Sequence, residues 1–475
     1  MLRISRSVVI GIAANLLFIC FYLILVQFKI ESYALVLFCS LVSFSYMLFF
    51  ICITCKSKIN LCIVFLALCF LFYYGQFVEF CITGSVENTV LSIIKEFSKK
   101  DMVWVAITTL IYIHVLHSGM LFASSLKESN RTYTRFTNYS LDIIRKTALL
   151  IYISAYPLSL YYQYSRFKYS TVWGYGRTLY SGLASSSLLL RFGEFLSGFV
   201  ISMYILLIMA YKGKKFIYVI MVSIVPYIGF YILSGSRLQV ALLLIVLLLI
   251  RHYWFKKIKS KDILKIIIIG IAFTYIITIS FNTRNFLGMN HNIFTAIKNA
   301  YADTNLLDSI NHMFDEFGCQ IVSIASVLLN CPSSVSYNYG KLYLYGIEII
   351  IPNLFGYQRI FFTENTDDAF KYLINGGNTG LGSSFISESF YSFGYFGIVL
   401  VFLFGIIIWK VSQRIEISKN MSVLQSFISF YIAYFIIFTV RSDTFNILSS
   451  LFQYCLFPIF LMSLINGLIS KRKIE

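Results

Sequence analysis

Along this chain, apolar runs alternate with short polar breaks, except at one polar stretch too long to be a break. A helix needs about 20 apolar residues to cross a hydrocarbon core. Runs of that kind fall near 7–26, 32–54, 60–80, 102–122, 147–164, 191–211, 216–233, 238–251, 266–281, 391–410, 422–440 and 445–468. The pattern predicts twelve transmembrane helices, several of them short, notably 238–251. The long polar stretch divides the chain into a nine-helix region, 1–281, a large loop, 282–390, and a three-helix region, 391–475. Within the loop, 291–330 is expected to be helical: Asp303, Asp308, Asp315 and Glu316 alternate with an apolar face, and His312 lies four after Asp308. The runs 321–329 and Gly346–Pro352 are too short to cross and read as helices dipping into the membrane or lying on it. A loop of this size on a rigid scaffold is where recognition or chemistry concentrates.

Hydrophobic residues make up 58% of the 475 residues and charged residues 13%, which fits an integral membrane protein. Orientation follows from lysine and arginine. With the N-terminus inside, the inner segments hold 24 of the 39 basic residues. These are Arg3 and Arg6; Lys56 and Lys58; Lys127, Arg131, Arg135, Arg145 and Lys146; and Lys212, Lys214 and Lys215. The others are Arg251, Lys256, Lys257, Lys259, Lys261 and Lys265; Lys410, Arg414 and Lys419; and Lys471, Arg472 and Lys473. The positive-inside rule then places both termini in the cytoplasm and the long loop outside. The outer short loops hold 10, and the outer loop 165–190, with Arg166, Lys168 and Arg177, is where the rule is weakest. The net charge of +18 is mostly this topogenic signal, so no nucleic-acid partner is expected. The N-terminal run reads as the first span rather than a cleavable leader.

Seven of the ten cysteines precede residue 82, where they serve as small apolar residues. Cys319 and Cys331 share the long loop, and spacing alone does not decide whether they pair. No phosphate-binding Gly-x-x-x-x-Gly-Lys-Ser/Thr motif occurs, so hydrolysis of ATP or GTP is not expected. No metal constellation appears either, and neither a metal nor a cofactor is expected. His114 and His117, three apart on the fourth span, read as a polar helix–helix contact. The span centres are nearly free of charge, which argues against ion-coupled transport.

Polar chemistry gathers instead at the outer ends of spans. Ser234-Gly-Ser-Arg237 opens the eighth span, and Arg441-Ser-Asp-Thr444 leads into the twelfth. Arg191 and Glu194 open the sixth, and Phe281-Asn-Thr-Arg284 ends the ninth. Inward-running helices point their N-termini outward, where free N–H groups and the dipole favour anions. Guanidinium groups suit bidentate binding of phosphate, although snorkelling or pairing with acids also accounts for any single one. The loop's Tyr337, Tyr339, Tyr343, Tyr345, Tyr357 and Tyr372 pair a flat apolar face with a hydroxyl, as a sugar-binding surface requires. Interfacial tyrosine belts have the same composition. The turn-rich Asn375–Ser384 reads as close-approach backbone at a ligand cleft, with Glu388 following at the membrane boundary.

Gly380-Leu-Gly-Ser-Ser-Phe-Ile-Ser-Glu-Ser-Phe-Tyr-Ser-Phe-Gly-Tyr-Phe-Gly397 resembles the end of the large periplasmic loop in bacterial O-antigen polymerases of the Wzy type. The Gly-Ser-Arg at 235–237 opening a leucine-rich span, and the arginine ending the ninth span, are also similar to that family. The resemblance implies an all-α integral membrane protein of about twelve transmembrane helices with one large helix-containing periplasmic loop, a GT-C-like polytopic architecture. It implies a glycosyltransferase of the bacterial inner membrane that joins undecaprenyl-pyrophosphate-linked oligosaccharide repeats on the periplasmic face. Membrane lipids, a chain-length regulator and a flippase are the further partners it implies. The family's periplasmic-loop arginines map by position onto Arg237 and Arg284, and then Arg441. Glu388 and His312 are candidate bases by location, and Arg441, Arg191, Tyr337, Tyr339 and Tyr343 are candidates for holding substrate. An O-antigen ligase shares this chemistry with a different acceptor. A lipid-linked oligosaccharide flippase should show two related halves or a charged cavity, and a membrane acyltransferase a histidine-centred site within the spans.

Overall fold

The computed structural model describes residues 6–28, 30–55, 57, 59–86, 91–95, 97–126, 140–173, 187–234, 237–287, 293–353, 357–373 and 382–471. The described residues form helices and no strands. The first six helices are α1 (Arg6–Gln27), α2 (Tyr33–Thr54), α3 (Leu61–Thr83), α4 (Lys99–Ser125), α5 (Leu141–Trp173) and α6 (Leu188–Ala210). Next come α7 (Ile217–Ser223), α8 (Val225–Leu233), α9 (Arg237–Ile250), which continues into a π turn at Arg251–Phe255, and α10 (Ser260–Leu287). The polar stretch builds α11 (Ile293–Asp303), α12 (Leu306–Gly318), α13 (Gln320–Asn330), α14 (Lys341–Glu348) and α15 (Thr366–Phe370). The chain closes with α16 (Phe385–Phe393), α17 (Ile398–Glu416), α18 (Val423–Phe438), α19 (Asn446–Leu451) and α20 (Phe457–Lys471).

Local signals set several of the ends. Ser32, Asn60 and Ser98 cap α2, α3 and α4 by accepting backbone N–H bonds from the third residue on. Gly84, at φ +76°, ends α3 in the left-handed region that glycine adopts without penalty. Among the described residues, nine helical segments are long and apolar enough to cross a membrane. Three shorter apolar helices, Ile217–Leu233, Leu264–Ser280 and Val423–Phe438, fall on the remaining expected runs. The chain is thus an all-helical, multi-pass membrane protein.

The centre of the bundle is α4, most of whose residues are buried, whereas α1 buries only Val8, Gly11, Asn15 and Tyr22. Small residues bring its neighbours close. A Cβ on Gly119 of α4 would collide with the carbonyl of Phe402 on α17, and one on Gly405 with that of Leu116. On the same helix His114 and His117 share Asn15 of α1, and His114 also reaches Ser43 of α2 at 3.1 Å. This is the expected polar contact between helices.

The two ends of the bundle differ. At one end the basic segments meet: Arg145 Nε donates to Ala210 O at 2.8 Å, Lys212 Nζ to Trp254 O at 2.5 Å, and His252 bonds Ser57 at 3.1 Å. At the other end the polar stretch packs onto the helices. α12 lies on α3, where Gly75 and Gly318 touch: a Cβ on Gly75 would sit 3.0 Å from Gly318 Cα. The apolar run 321–329 forms α13, whose residues Gln320–Leu328 are all buried against α3, α4 and α16. Protein therefore encloses it. The run at 346–352 is different: α14 ends at Glu348, and Ile347 and Ile351 stay 55% and 67% exposed. Cys319 and Cys331 cap opposite ends of α13 as free thiols. An 11-residue helix is about 16 Å long, too far for a disulfide.

Candidate active site

The link between α18 and α19, Thr439–Phe445, organises the end of the molecule that carries the polar stretch. Phe385 N donates to Thr439 O at 3.1 Å, and Tyr73 Oη of α3 to Val440 O at 3.0 Å. A serine capping box, Ser384 with Ser387, starts α16 and sets Glu388 in its first turn. Glu388 is completely buried. Its Oε2 accepts the Thr444 backbone N–H at 2.5 Å, while Oε1 has no hydrogen-bond partner among the described residues.

Asp443 sits on the same link, partly buried, with Asn446 Nδ2 at 3.5 Å from its Oδ2. Burial pushes its carboxyl up from 3.8 to about 6; a Ser383 hydrogen bond opposes the rise, and the carboxylates of Asp367 and Asp368 add to it. Arg441 lies two residues earlier. Its guanidinium stands over the Phe72 ring at 6.0 Å, and Nη1 points to Glu316 O at 3.5 Å. Glu316 in turn lies 3.8 Å from His312 Nε2, one helical turn back on α12.

The segment Gly382–Ser384 is clamped beneath this link. Gln320 Nε2 donates to Ser383 O at 2.9 Å, Ser323 Oγ to Gly382 O at 2.9 Å, and Thr366 Oγ1 to Ser383 Oγ at 2.6 Å. Gly382 N donates to Asp367 Oδ1 at 3.2 Å. Gly382 has φ +71°, and a Cβ there would sit 3.0 Å from Gln320 Oε1 and 3.8 Å from Arg441 Cγ, so both conformation and space favour glycine.

Tyrosines border α16 from the other side. Tyr343 stacks on Phe393 at 6.3 Å, and burial, with the charge of Glu388 adding, pushes its hydroxyl well up. Tyr337 meets Phe390 edge-on at 6.2 Å, and Asn338 N fixes the turn by donating to Tyr391 O at 2.9 Å. Tyr339, at φ +52°, stands 75% exposed.

The structure therefore brings Glu388, Arg441, His312, Tyr337 and Tyr343 into one neighbourhood. Arg191 belongs to another, in the first turn of α6, where Glu194 accepts from Tyr162 Oη at 2.9 Å. Arg237 begins α9 and Arg284 falls in the last turn of α10, which runs on to Leu287; the side chains of both lie outside the described residues, as do residues 374–381 of the turn-rich segment. Among the described residues no three histidine, cysteine or acidic side chains converge as a metal site. Sequence reading passed over Asp443, Asp367, Gln320 and Ser383. The first was visible inside Arg441–Thr444, and Gln320 and Ser323 are polar positions, with Ser326 and Asn330, in a mostly apolar helix.

Fold and site together define a polytopic helical membrane protein with acids, arginine and tyrosines gathered at one end of its bundle. The family model of the O-antigen polysaccharide polymerase Wzy matches residues 9–473, and the chain belongs to that family. No curated protein and no solved structure matches it. The family polymerises polysaccharide repeat units in O-antigen synthesis, a glycosyl-transfer activity that acts on lipid-linked repeats.

Proposed function

We propose that this protein transfers a growing polysaccharide from undecaprenyl pyrophosphate to the terminal sugar hydroxyl of an incoming lipid-linked repeat, on the periplasmic face of the inner membrane. Twelve spans with cytoplasmic termini, and an outer loop of 282–390, are the topology this requires. The observation that carries the reading is the Thr439–Phe445 link, which presents Arg441 and Asp443 together and engages Glu388. Transfer from a pyrophosphate needs a cation for the departing charge and a base for the attacking hydroxyl.

The reaction breaks the bond between the donor's anomeric carbon and the pyrophosphate oxygen, and forms one from that carbon to the acceptor oxygen with inversion. The acceptor proton passes to a carboxylate, for which Asp443, half-buried and with its carboxyl raised to about 6, is better suited than the completely buried Glu388. Glu388 holds the link by accepting from Thr444. Arg441, with Arg237 and Arg284 at the ends of neighbouring helices, stabilises charge that grows on the leaving pyrophosphate, an interaction that strengthens in the transition state. Exposed Tyr339, and half-buried Tyr337 and Tyr343 beside α16, offer flat faces to sugar rings. Two lipid-anchored substrates held side by side gain proximity. The surface polysaccharide of a deletion strain tests the function: single repeats on the lipid anchor support a polymerase, whereas absence of any transferred repeat indicates a ligase.

A further inference from the structure

At the opposite end of the bundle lies a polar cavity of about 310 Å³ that the glycosyl-transfer reading does not use. It forms where α2, the π turn after α9, and the end of α17 converge. α17 starts beside α16, and its 19 residues span about 28 Å, so the cavity is well removed from Glu388 and Asp443. Its lining mixes groups already bonded within the protein with donors that are not. His252 accepts the Ile258 N–H on Nδ1 at 3.0 Å, so its one N–H, on Nε2, is held by Ser57 Oγ at 3.1 Å, and the Ser57 hydroxyl in turn donates to Ile59 O at 3.1 Å. The indole of Trp409, 4% exposed, lines the cavity, and its N–H has no hydrogen-bond partner among the described residues. A buried donor left unmade is costly and calls for a partner. Lys257 and Lys419, both exposed, stand at the rim, and Ser412 contributes a hydroxyl.

We propose that this cavity binds the phosphate of a phospholipid headgroup. The indole N–H of Trp409, the Ser412 hydroxyl and the ammonium groups of Lys257 and Lys419 around one polar space of this size call for a ligand made of acceptors, and phosphate oxygens are that. The cavity opens at the ends of apolar helices, the level at which lipid headgroups lie and at which basic residues engage them. Glu416 lines the same space, which disfavours a bare multivalent anion and suits a phosphodiester that brings its own ammonium. The ligand class is therefore an aminophospholipid, its phosphate between Lys257, Lys419 and the indole N–H, and its ammonium toward Glu416.

The test uses the full chain purified in detergent and titrated with short-chain phosphatidylethanolamine, phosphatidylglycerol or inorganic phosphate, read by native mass spectrometry and thermal stability. Phosphatidylethanolamine should bind, and Lys257→Gln with Lys419→Gln should weaken it at least ten-fold. Trp409→Phe keeps the ring, removes the donor and should weaken binding several-fold. Stabilisation by inorganic phosphate but by neither lipid would overturn the lipid assignment. Equal binding of both lipids in wild type and the double lysine variant would overturn the site, and a preference for phosphatidylglycerol would overturn the role given to Glu416.

Discussion

Arg441 and Asp443 are two residues apart, yet the structure turns them to different tasks: the guanidinium faces Phe72 and Glu316 while the carboxyl lies near Asp367 and Asp368. If Arg441 stabilises the leaving pyrophosphate, Arg441→Ala should slow polymerisation by about 10²–10³ and shorten the polymer, at normal protein level in the membrane. Arg441→Lys should restore chain length only in part, because it keeps the charge and loses the planar fork. Alanine at Arg237 or Arg284 should act in the same direction, and normal chain length in both would remove them from the reaction. Asp443 adds a pH signature. A carboxyl raised to about 6 is protonated below that pH, so the rate of the reconstituted protein should rise with pH through about 6. Asp443→Asn should abolish that limb along with most of the activity. The sign for stability is opposite. The folded state holds this proton more tightly than the ordinary value of 3.8, so its contribution is favourable at low pH and is lost between 3.8 and about 6. From sequence, Glu388 and Arg441 stood out as charges at span ends. Asp443 did not, because an acid two residues from an arginine reads as its counter-ion, and only tertiary packing shows what surrounds it.

At the scale of elements, the long apolar runs were readable because twenty successive apolar residues leave little choice of structure. The nine apolar residues at 321–329 left a choice, since a helix dipping into lipid and one enclosed by protein have the same composition. What decides for α13 is the company of α3, α4 and α16, joined in part through Gly75 and Gly318, and spacing along the chain does not report that. The contact between α4 and α17 is the sharper example. Gly119 and Gly405 each face the partner's carbonyl with no room for a methyl group. Gly405→Leu should force the helices apart, cost about 1–3 kcal/mol or more by overpacking, and lower the melting temperature of the detergent-solubilised protein. Gly229 and Gly270, where a methyl group would meet only open space among the described residues, are the controls, and leucine there should be nearly neutral.

For the whole molecule, the two ends of the bundle carry different chemistry, and this bears on how it sits in the membrane. Segments near Ser57, Arg145, Lys212 and His252 touch one another at one end, and they are segments rich in lysine and arginine. The polar stretch packs at the end where Val440 and Thr444 meet α3 and α16. Charge counting and packing thus divide the chain in the same way, though they draw on independent properties: one on which residues resist translocation, the other on which loops fold against each other. The polar stretch should therefore be extracytoplasmic, where a lipid-linked acceptor would meet Arg441 and Asp443. A reporter active only in the periplasm should work when fused after Lys298 or Lys341 and be silent after Lys257. Activity only after Lys257 would invert the molecule, put the carboxylates on the cytoplasmic side, and take the proposed reaction with them.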